Sequence, residues 1–197
     1  MEDMRKEFNE TLLKINREGM DDLIQYLEDS GFYTAPCSGG YHLAKESGLL
    51  EHSLNVLHIA EKLSVALYGA KNLTKEMKES IAICALLHDI GKCGDYGKQF
   101  YVPNILKTTG KQSEKKPYER NKQLTNIPHS FKSAIIAERW IDLTEEEEYV
   151  IMYHDGLYDR ETGGMSIVPG HETPLWFIIH WADMWASHVV EIENEEK

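Results

Sequence analysis

The amino-acid sequence predicts an all-α protein, a single-domain helical bundle, on three observations. Apolar residues recur at helical spacing, and no stretch of the chain alternates convincingly with a period of two. Glycine and proline residues divide the chain into segments of helical length. A chain of 197 residues with 42% hydrophobic content is long enough for one well-buried core and short for two. We therefore expect one domain over residues 1–197, with few or no strands.

The N-terminal part of the chain is predicted to form packing helices within residues 1–31. Phe8, Leu12 and Ile15 share one helical face, and a second short helix over about 20–29 stops at Gly31. We interpret these segments as packing elements and expect the part of the core that carries the functional site over about residues 40–190.

The next two helices are predicted mainly from the residues at their ends. Apolar residues at helical spacing indicate a long helix over about 49–68, which Gly69 ends. Thr74 can then cap a helix that runs to about residue 90. Residues 91–128 lose this periodicity, and a segment of that length is unusual in a compact domain unless it is functional. We interpret residues 91–128 as a substrate-side loop that shapes specificity.

Three further helices complete the predicted bundle. The first runs over about 129–141. The sequence Thr144-Glu145-Glu146-Glu147 is typical of a capping box and opens the helix that reaches His154. Thr173 and Pro174 fit the N-cap and the first position of the last helix.

Composition and charge argue against several classes of protein. The longest apolar stretches, such as residues 81–87, are far too short to span a bilayer, and the N-terminus is acidic where a signal peptide would be basic. We therefore expect a cytoplasmic protein without membrane contact. Three cysteines without CxxC spacing argue against a disulfide framework and a thiolate zinc site. A net charge of −12 disfavours binding to duplex nucleic acid but leaves room for a small anionic substrate.

The strongest chemical signal lies where the second predicted long helix ends. His88 and Asp89 follow an apolar helix just before Gly91. Adjacent helical residues point about 100° apart, so an imidazole and a carboxylate can flank one metal ion. Lys92 lies over the same turn. Because zinc, iron and manganese sites of this type need three or more protein ligands, other parts of the chain must contribute.

Further histidines and aspartates occur in an ordered set along the chain. In order, the segments are Leu49-Leu50-Glu51-His52-Ser53, His88-Asp89-Ile90-Gly91-Lys92, Pro128-His129-Ser130, Tyr153-His154-Asp155-Gly156 and His180-Trp181-Ala182-Asp183. Over roughly residues 40–186 this order resembles the HD superfamily of metal-dependent phosphohydrolases. The most specific parts of the resemblance are residues 48–53 and 88–92.

The resemblance implies a helical bundle of the HD-domain type and a set of metal ligands. A single-metal site would use His52, His88, Asp89 and Asp183. The bimetallic members add two histidines, which His129 and His154 match in this chain. The resemblance then implies two divalent ions such as Fe, Mn or Zn, and Asp89 would bridge them. The chain lacks the Gly-Tyr-Pro element of the HD-GYP phosphodiesterases, so we do not adopt cyclic-dinucleotide specificity.

The implied activity is hydrolysis of a phosphomonoester or phosphodiester in a small molecule, above all a nucleotide, by a metal-activated hydroxide. Asp89, Lys92 and Lys132 would be catalytic, with both lysines also contacting the substrate and neutralising charge on the phosphoryl group. The pair His129 and Lys132 is similar to one in small HD-domain hydrolases of gut Firmicutes and their phages. His42 could face a substrate phosphate, although a structural role is equally expected.

Two other functions are also compatible with parts of the sequence. Some HD-like oxygenases with a mixed-valence di-iron site use the same order of ligands and a nearby lysine. A binding module without turnover is disfavoured because every expected ligand is present. The pair His154-Asp155 is a second His-Asp dipeptide, which a chain with nine histidines can produce by chance, and His180 is interpreted as a hydrogen-bonded core histidine.

Overall fold

The computed structural model of the protein describes residues 1–156 and 170–192. Within these ranges the fold is an all-α bundle, as the sequence predicts, with a few very short strands. In chain order the α-helices are α1 (Glu2–Leu13), α2 (Met20–Asp29), α3 (Gly48–Tyr68), α4 (Lys75–Leu87), α5 (His129–Ala137), α6 (Glu145–Tyr153) and α7 (Pro174–Trp185). Single 3₁₀ turns lie at Phe32–Thr34 and Ile90–Lys92, and a π-helical turn at Ala186–Val190 follows α7.

The predicted caps are confirmed at three helix starts. The side chain of Thr74 accepts a hydrogen bond from the backbone N–H of Met77 at the start of α4. The capping box is present at the start of α6, between Thr144 and Glu147. Thr173 caps α7, and a proline occupies its first turn. These local bonds satisfy backbone donors that a helix leaves without partners inside itself.

Two helices end earlier than the sequence predicts. Helix α4 ends at Leu87 because Asp89 leaves helical geometry, with φ of −112° and ψ of 6°, and leads into the 3₁₀ turn. Helix α5 ends at Ala137, and turn hydrogen bonds such as Ile141 N–H to Ala137 O continue the backbone. The first of these early ends places the His-Asp pair at a change of chain direction.

The core of the bundle forms around α3, which packs against α4 and α7. The predicted N-terminal face is confirmed, since Phe8, Leu12 and Ile15 are buried in this core. Burial on this scale removes apolar surface from water and is the main force that holds the helices together. None of the helices within residues 1–156 and 170–192 is long and apolar enough to cross a bilayer.

The segment that the sequence predicts to be irregular contains two small antiparallel strand pairs. Strand β1 (Gly94–Asp95) pairs with β2 (Lys98–Gln99), and β3 (Tyr101–Pro103) pairs with β4 (Tyr118–Arg120). The second pair is tied to the loop before α3 by a hydrogen bond of 3.0 Å from Tyr118 N–H to Gly39 O.

Candidate metal centre

Four histidines and three aspartates meet at one place in the bundle. His52 comes from α3, His88 and Asp89 from the end of α4, and His129 from the start of α5. The others lie at the end of α6 and on α7: His154, Asp155 and Asp183. The structure thus brings together all six metal ligands expected from the sequence, and adds Asp155.

The first cluster consists of His52, His88 and Asp183, with one oxygen of Asp89. His52 Nε2 lies 3.2 Å from His88 Nε2 and 3.2 Å from Asp183 Oδ1. Asp89 Oδ2 lies 3.5 Å from the Nε2 atoms of both histidines. Three helices therefore direct four potential ligand atoms at one point.

The second cluster consists of His129, His154 and Asp155, with the other oxygen of Asp89. His129 Nε2 lies 3.2 Å from Asp89 Oδ1 and 3.2 Å from Asp155 Oδ2. His154 Nε2 lies 3.6 Å from Asp89 Oδ1 and 3.7 Å from Asp155 Oδ1. Asp89 thus faces one cluster with each of its carboxylate oxygens.

The histidine tautomers leave the Nε2 atoms available as ligands. Nδ1 of His88 lies 2.9 Å from Ala85 O, and Nδ1 of His154 lies 2.8 Å from Ile151 O. Because a carbonyl oxygen only accepts, each Nδ1 must carry the proton, and the lone pair of each neutral ring is on Nε2. His52 has the same arrangement, with Nδ1 bonded to a carboxylate.

The spacing and burial of these atoms fit divalent cations. Two ligand atoms bonded to one ion at about 2.1 Å lie about 3.0–3.4 Å apart at octahedral to tetrahedral angles, close to the distances in both clusters. Asp89 Oδ1 and Asp155 Oδ2 are buried, and each faces Nε2 of His129 at 3.2 Å without a hydrogen bond of good geometry from the described residues. A buried carboxylate oxygen without a donor is costly unless a cation faces it. The residues present therefore fit divalent metal.

The electrostatics of the centre favour positive charge. Burial alone would raise the pKa of Asp89, but Lys92 and His88 hold it well below the usual range. Burial alone would lower the pKa of His52, but the carboxylates of Glu191 and Asp183, which contact its two ring nitrogens, raise it well above the usual value. These closely spaced carboxylates favour either protonation of the imidazoles or binding of metal cations.

The two predicted catalytic lysines differ in position. Lys92 Nζ lies 2.6 Å from Asp89 Oδ2, so its ammonium group is at the edge of the first cluster. Lys132 Nζ instead lies 2.5 Å from Asp95 Oδ2, in an ion pair that Arg139 shares. The ammonium group of Lys132 therefore contacts an aspartate outside both clusters.

The remaining histidines near the centre have structural partners. Nδ1 of His42 is bonded to the carboxylate of Glu191. His42 also lies near Cys37 and His52, but burial raises the pKa of the Cys37 thiol to about 12, which disfavours a thiolate ligand there. His180 Nδ1 lies 2.6 Å from His154 O, which confirms the expected hydrogen-bonded core histidine.

Two residues of the site were not singled out from the sequence. Asp155 belongs to the second cluster, and the His-Asp dipeptide was the signal that could have found it. Glu191 is fully buried behind His52, although in the sequence it begins an acidic tail and gives no such signal.

Comparison with known proteins assigns the family. A family model described as HD domain matches residues 49–183, a range that contains every residue of the two clusters. Searches of curated proteins and of solved structures each returned no match to this chain. The family match covers more than half of the chain and coincides with the metal centre. The chain therefore belongs to the HD domain family, whose members are generally metal-dependent hydrolases that bind divalent metal.

Proposed function

We propose that the protein is a phosphohydrolase with two divalent metal ions, which cleaves a phosphomonoester or phosphodiester bond in a small molecule, above all a nucleotide. The observation that carries this proposal is the position of Asp89, whose two oxygens face two clusters of similar composition. Each cluster offers two imidazoles and one further aspartate. A carboxylate shared between two cations would hold them close together, as two-metal hydrolysis requires.

His52, His88, Asp89 and Asp183 would hold the first ion, and His129, His154, Asp89 and Asp155 the second. This assignment adds Asp155 to the ligands expected from the sequence. Mixed imidazole and carboxylate ligands suit Fe, Mn or Zn. Such ions supply an activated water for attack at phosphorus and positive charge that stabilises the attacking and leaving oxygens.

Lys92 would add positive charge on the substrate side of the first cluster. Its ammonium group lies beside Asp89 and is largely buried, with 14% of the side chain exposed. Burial alone would lower the pKa of Lys92, but Asp89 raises it well above the usual value, so the group stays charged. A fixed charge at this position can bind a phosphoryl oxygen as negative charge develops on it. The sequence-based roles of Lys132 and His42 as substrate contacts remain part of the proposal.

A cavity on the side of the His-Asp motif that carries Gly91 supports a nucleotide as the substrate. It has a volume of about 400 Å³ and is bordered by Gly91 of the His-Asp motif and by Lys132. Aromatic rings of Tyr96 and Phe100 and the amide of Gln123 also line it. Aromatic faces and an amide are groups that can bind a nucleobase.

The reaction class can be tested with anaerobically purified protein. We expect release of phosphate, or of a phosphomonoester, from nucleotides and from nitrophenyl phosphate esters with Mn²⁺, Fe²⁺ or Zn²⁺ supplied separately. Hydrolysis uses water and needs no oxygen. Substrate loss that occurs only with oxygen would replace this proposal with the di-iron oxygenase, which uses the same ligand order.

The number of ions can be tested by metal analysis of single variants. We expect about two ions per chain in the wild type and about one in the variants His129→Ala and Asp155→Ala, because each removes a ligand of the second cluster only. His58→Ala is the matched control, since His58 lies on α3 with His52 but is exposed and pairs with Glu7. A wild type with one ion, retained with full activity in both cluster variants, would support a single-metal site instead.

A further inference from the structure

Glu191 is a buried carboxylate whose contacts the proposed reaction does not explain. Its side chain is fully buried. Oε1 lies 2.9 Å from Nδ1 of His52 and 3.1 Å from Nδ2 of Asn55. Oε2 is bonded to Nδ1 of His42. Both oxygens are therefore used, and their partners come from α3 and from the loop that precedes it.

The π-helical turn after α7 helps to explain how Glu191 reaches this position. In an uninterrupted α-helix, a residue eight positions after Asp183 would be rotated from it by about 80°. The turn at Ala186–Val190 has the wider i→i+5 bonding, which reduces the rotation per residue. It brings Glu191 back toward the face that carries Asp183. The two carboxylates of this C-terminal segment thus contact opposite nitrogens of His52.

This contact differs from those behind His88 and His154. Nδ1 of His88 and Nδ1 of His154 each bond to a neutral backbone carbonyl three residues earlier in the chain. Nδ1 of His52 bonds to a carboxylate, which fixes the ring and makes its other nitrogen a better electron donor. Within the first cluster, His52 is therefore bonded behind its ring to a carboxylate, whereas His88 is bonded to a backbone carbonyl.

We infer that Glu191 is a positioning residue for the first cluster: its carboxylate holds the proton of His52 on Nδ1 and so directs the Nε2 lone pair at the cation. This inference rests on the proposed function only in requiring that an ion bind at His52. Asn55 and His42 hold the carboxylate in place by using its remaining acceptor positions. The residue that follows the π-helical turn is in this way coupled to the metal site through its hydrogen bond with His52.

The test is the affinity of each cluster for Zn²⁺, measured by competition with a chelator. The variant His129→Ala isolates the first cluster, and His52→Ala isolates the second. Adding Glu191→Ala should lower the Zn²⁺ affinity of the first cluster about 10- to 100-fold, the range observed when a group that hydrogen-bonds to a metal ligand is removed. Glu191→Gln should lower this affinity less, because the amide oxygen of glutamine can still accept a hydrogen bond from His52 Nδ1 but carries no charge. Neither substitution should change the Zn²⁺ affinity of the second cluster.

A spectroscopic measurement and a matched control separate positioning from general destabilisation. With Co²⁺ at the first cluster, Glu191→Ala should shift the visible absorption bands, and Glu191→Gln should restore most of the wild-type spectrum. Glu147→Gln is the control, since Glu147 is equally buried but bonds to Arg17. It should lower stability without changing Zn²⁺ affinity or the Co²⁺ spectrum.

The outcomes are distinct. Wild-type affinity at the first cluster in both Glu191 variants would overturn the inference and leave the proposed function intact. Equal losses at both clusters in Glu191→Gln would also overturn it, because Glu191 would then act only through the stability of the fold. A wild-type protein that binds no ion at His52 would overturn the proposed function itself. Should Glu191→Ala fail to fold, the affinities of Glu191→Gln decide the question.

Discussion

Replacing Asp95 with asparagine tests the ion cluster that connects the His-Asp turn to α5. Asp95 Oδ1 accepts hydrogen bonds from Arg139 Nη1 at 2.9 Å and from the Tyr26 hydroxyl at 3.2 Å. Oδ2 accepts from Arg139 Nη2 at 3.1 Å and from Lys132 Nζ at 2.5 Å. Since Lys132 belongs to the same helix as His129, this carboxylate helps to hold the second metal cluster against the first.

The size of the effect follows from the pKa of Asp95. Burial alone would raise the pKa, but Arg139 and Lys132 outweigh it and lower the pKa from 3.8 to about 2. One pKa unit corresponds to about 1.4 kcal/mol, so the charged form contributes about 2.5 kcal/mol to the free energy of unfolding. Because the folded-state pKa is the lower one, this contribution is complete above about pH 4 and is lost as the pH falls through about 2.

Urea unfolding of the metal-free protein can measure this contribution. Asp95→Asn should lower the free energy of unfolding by about 2.5 kcal/mol at pH 7 and pH 5, and the difference from wild type should shrink between pH 4 and pH 2. Asp142→Asn, at an exposed aspartate in the loop before α6, should show almost no difference at any pH. A deficit in Asp95→Asn that is the same at pH 7 and pH 3 would refute the electrostatic reasoning.

Two further substitutions test the centre. Lys92→Ala should reduce turnover about 10- to 1000-fold, or about 1.4–4 kcal/mol of transition-state stabilisation, with unchanged metal content; full activity would remove Lys92 from the mechanism. A Cβ atom introduced by substitution at Gly91 would lie 2.2 Å from the backbone oxygen of His129. Gly91→Ala should therefore displace α5 and destabilise the fold by about 1–3 kcal/mol. In Zn²⁺ titrations it should lower the affinity of the second cluster more than that of the first. Equal Zn²⁺ affinities in the variant and the wild type would contradict this reasoning.

The parts of the fold that the sequence predicts correctly depend on local signals. Thr144 and Glu147 bond to each other's backbone within one helical turn, so the start of α6 can be recognised without knowledge of its neighbours. The same is true of Thr173 and Pro174 at the start of α7. The family pattern also predicts which residues along the chain are candidate metal ligands, and short-range sequence signals do not give that information.

The parts that could not be predicted depend on contacts between distant residues. The pairing of β3 with β4 joins Tyr101 to Arg120 across a long loop, and neither strand has more than three residues to show an alternating pattern. Glu191 lies 139 positions after His52, and three further glutamates follow it within five residues. A tail this rich in glutamate normally indicates a solvated segment, so only the folded structure identifies Glu191 as buried.

Asp155 shows how a local rule could have extended the prediction. His88 and His154 each follow the last residue of an α-helix with similar backbone angles, φ and ψ of −55° and −33° for the first and −60° and −33° for the second. Each bonds through Nδ1 to the carbonyl three residues earlier, and each is followed by an aspartate that faces the second cluster.

The glycine after each dipeptide completes the resemblance between the two helix ends. A Cβ at Gly91 would collide with the backbone of α5, and one at Gly156 would lie 2.8 Å from the ring of His180. In both places the chain must turn away from the helix at close range to another element, which only glycine permits. A His-Asp pair at the end of an apolar helix, with glycine one or two residues later, therefore marks a helix end that delivers two ligands. By that criterion His154-Asp155-Gly156 belongs with His88-Asp89-Ile90-Gly91 and not with dipeptides that arise by chance.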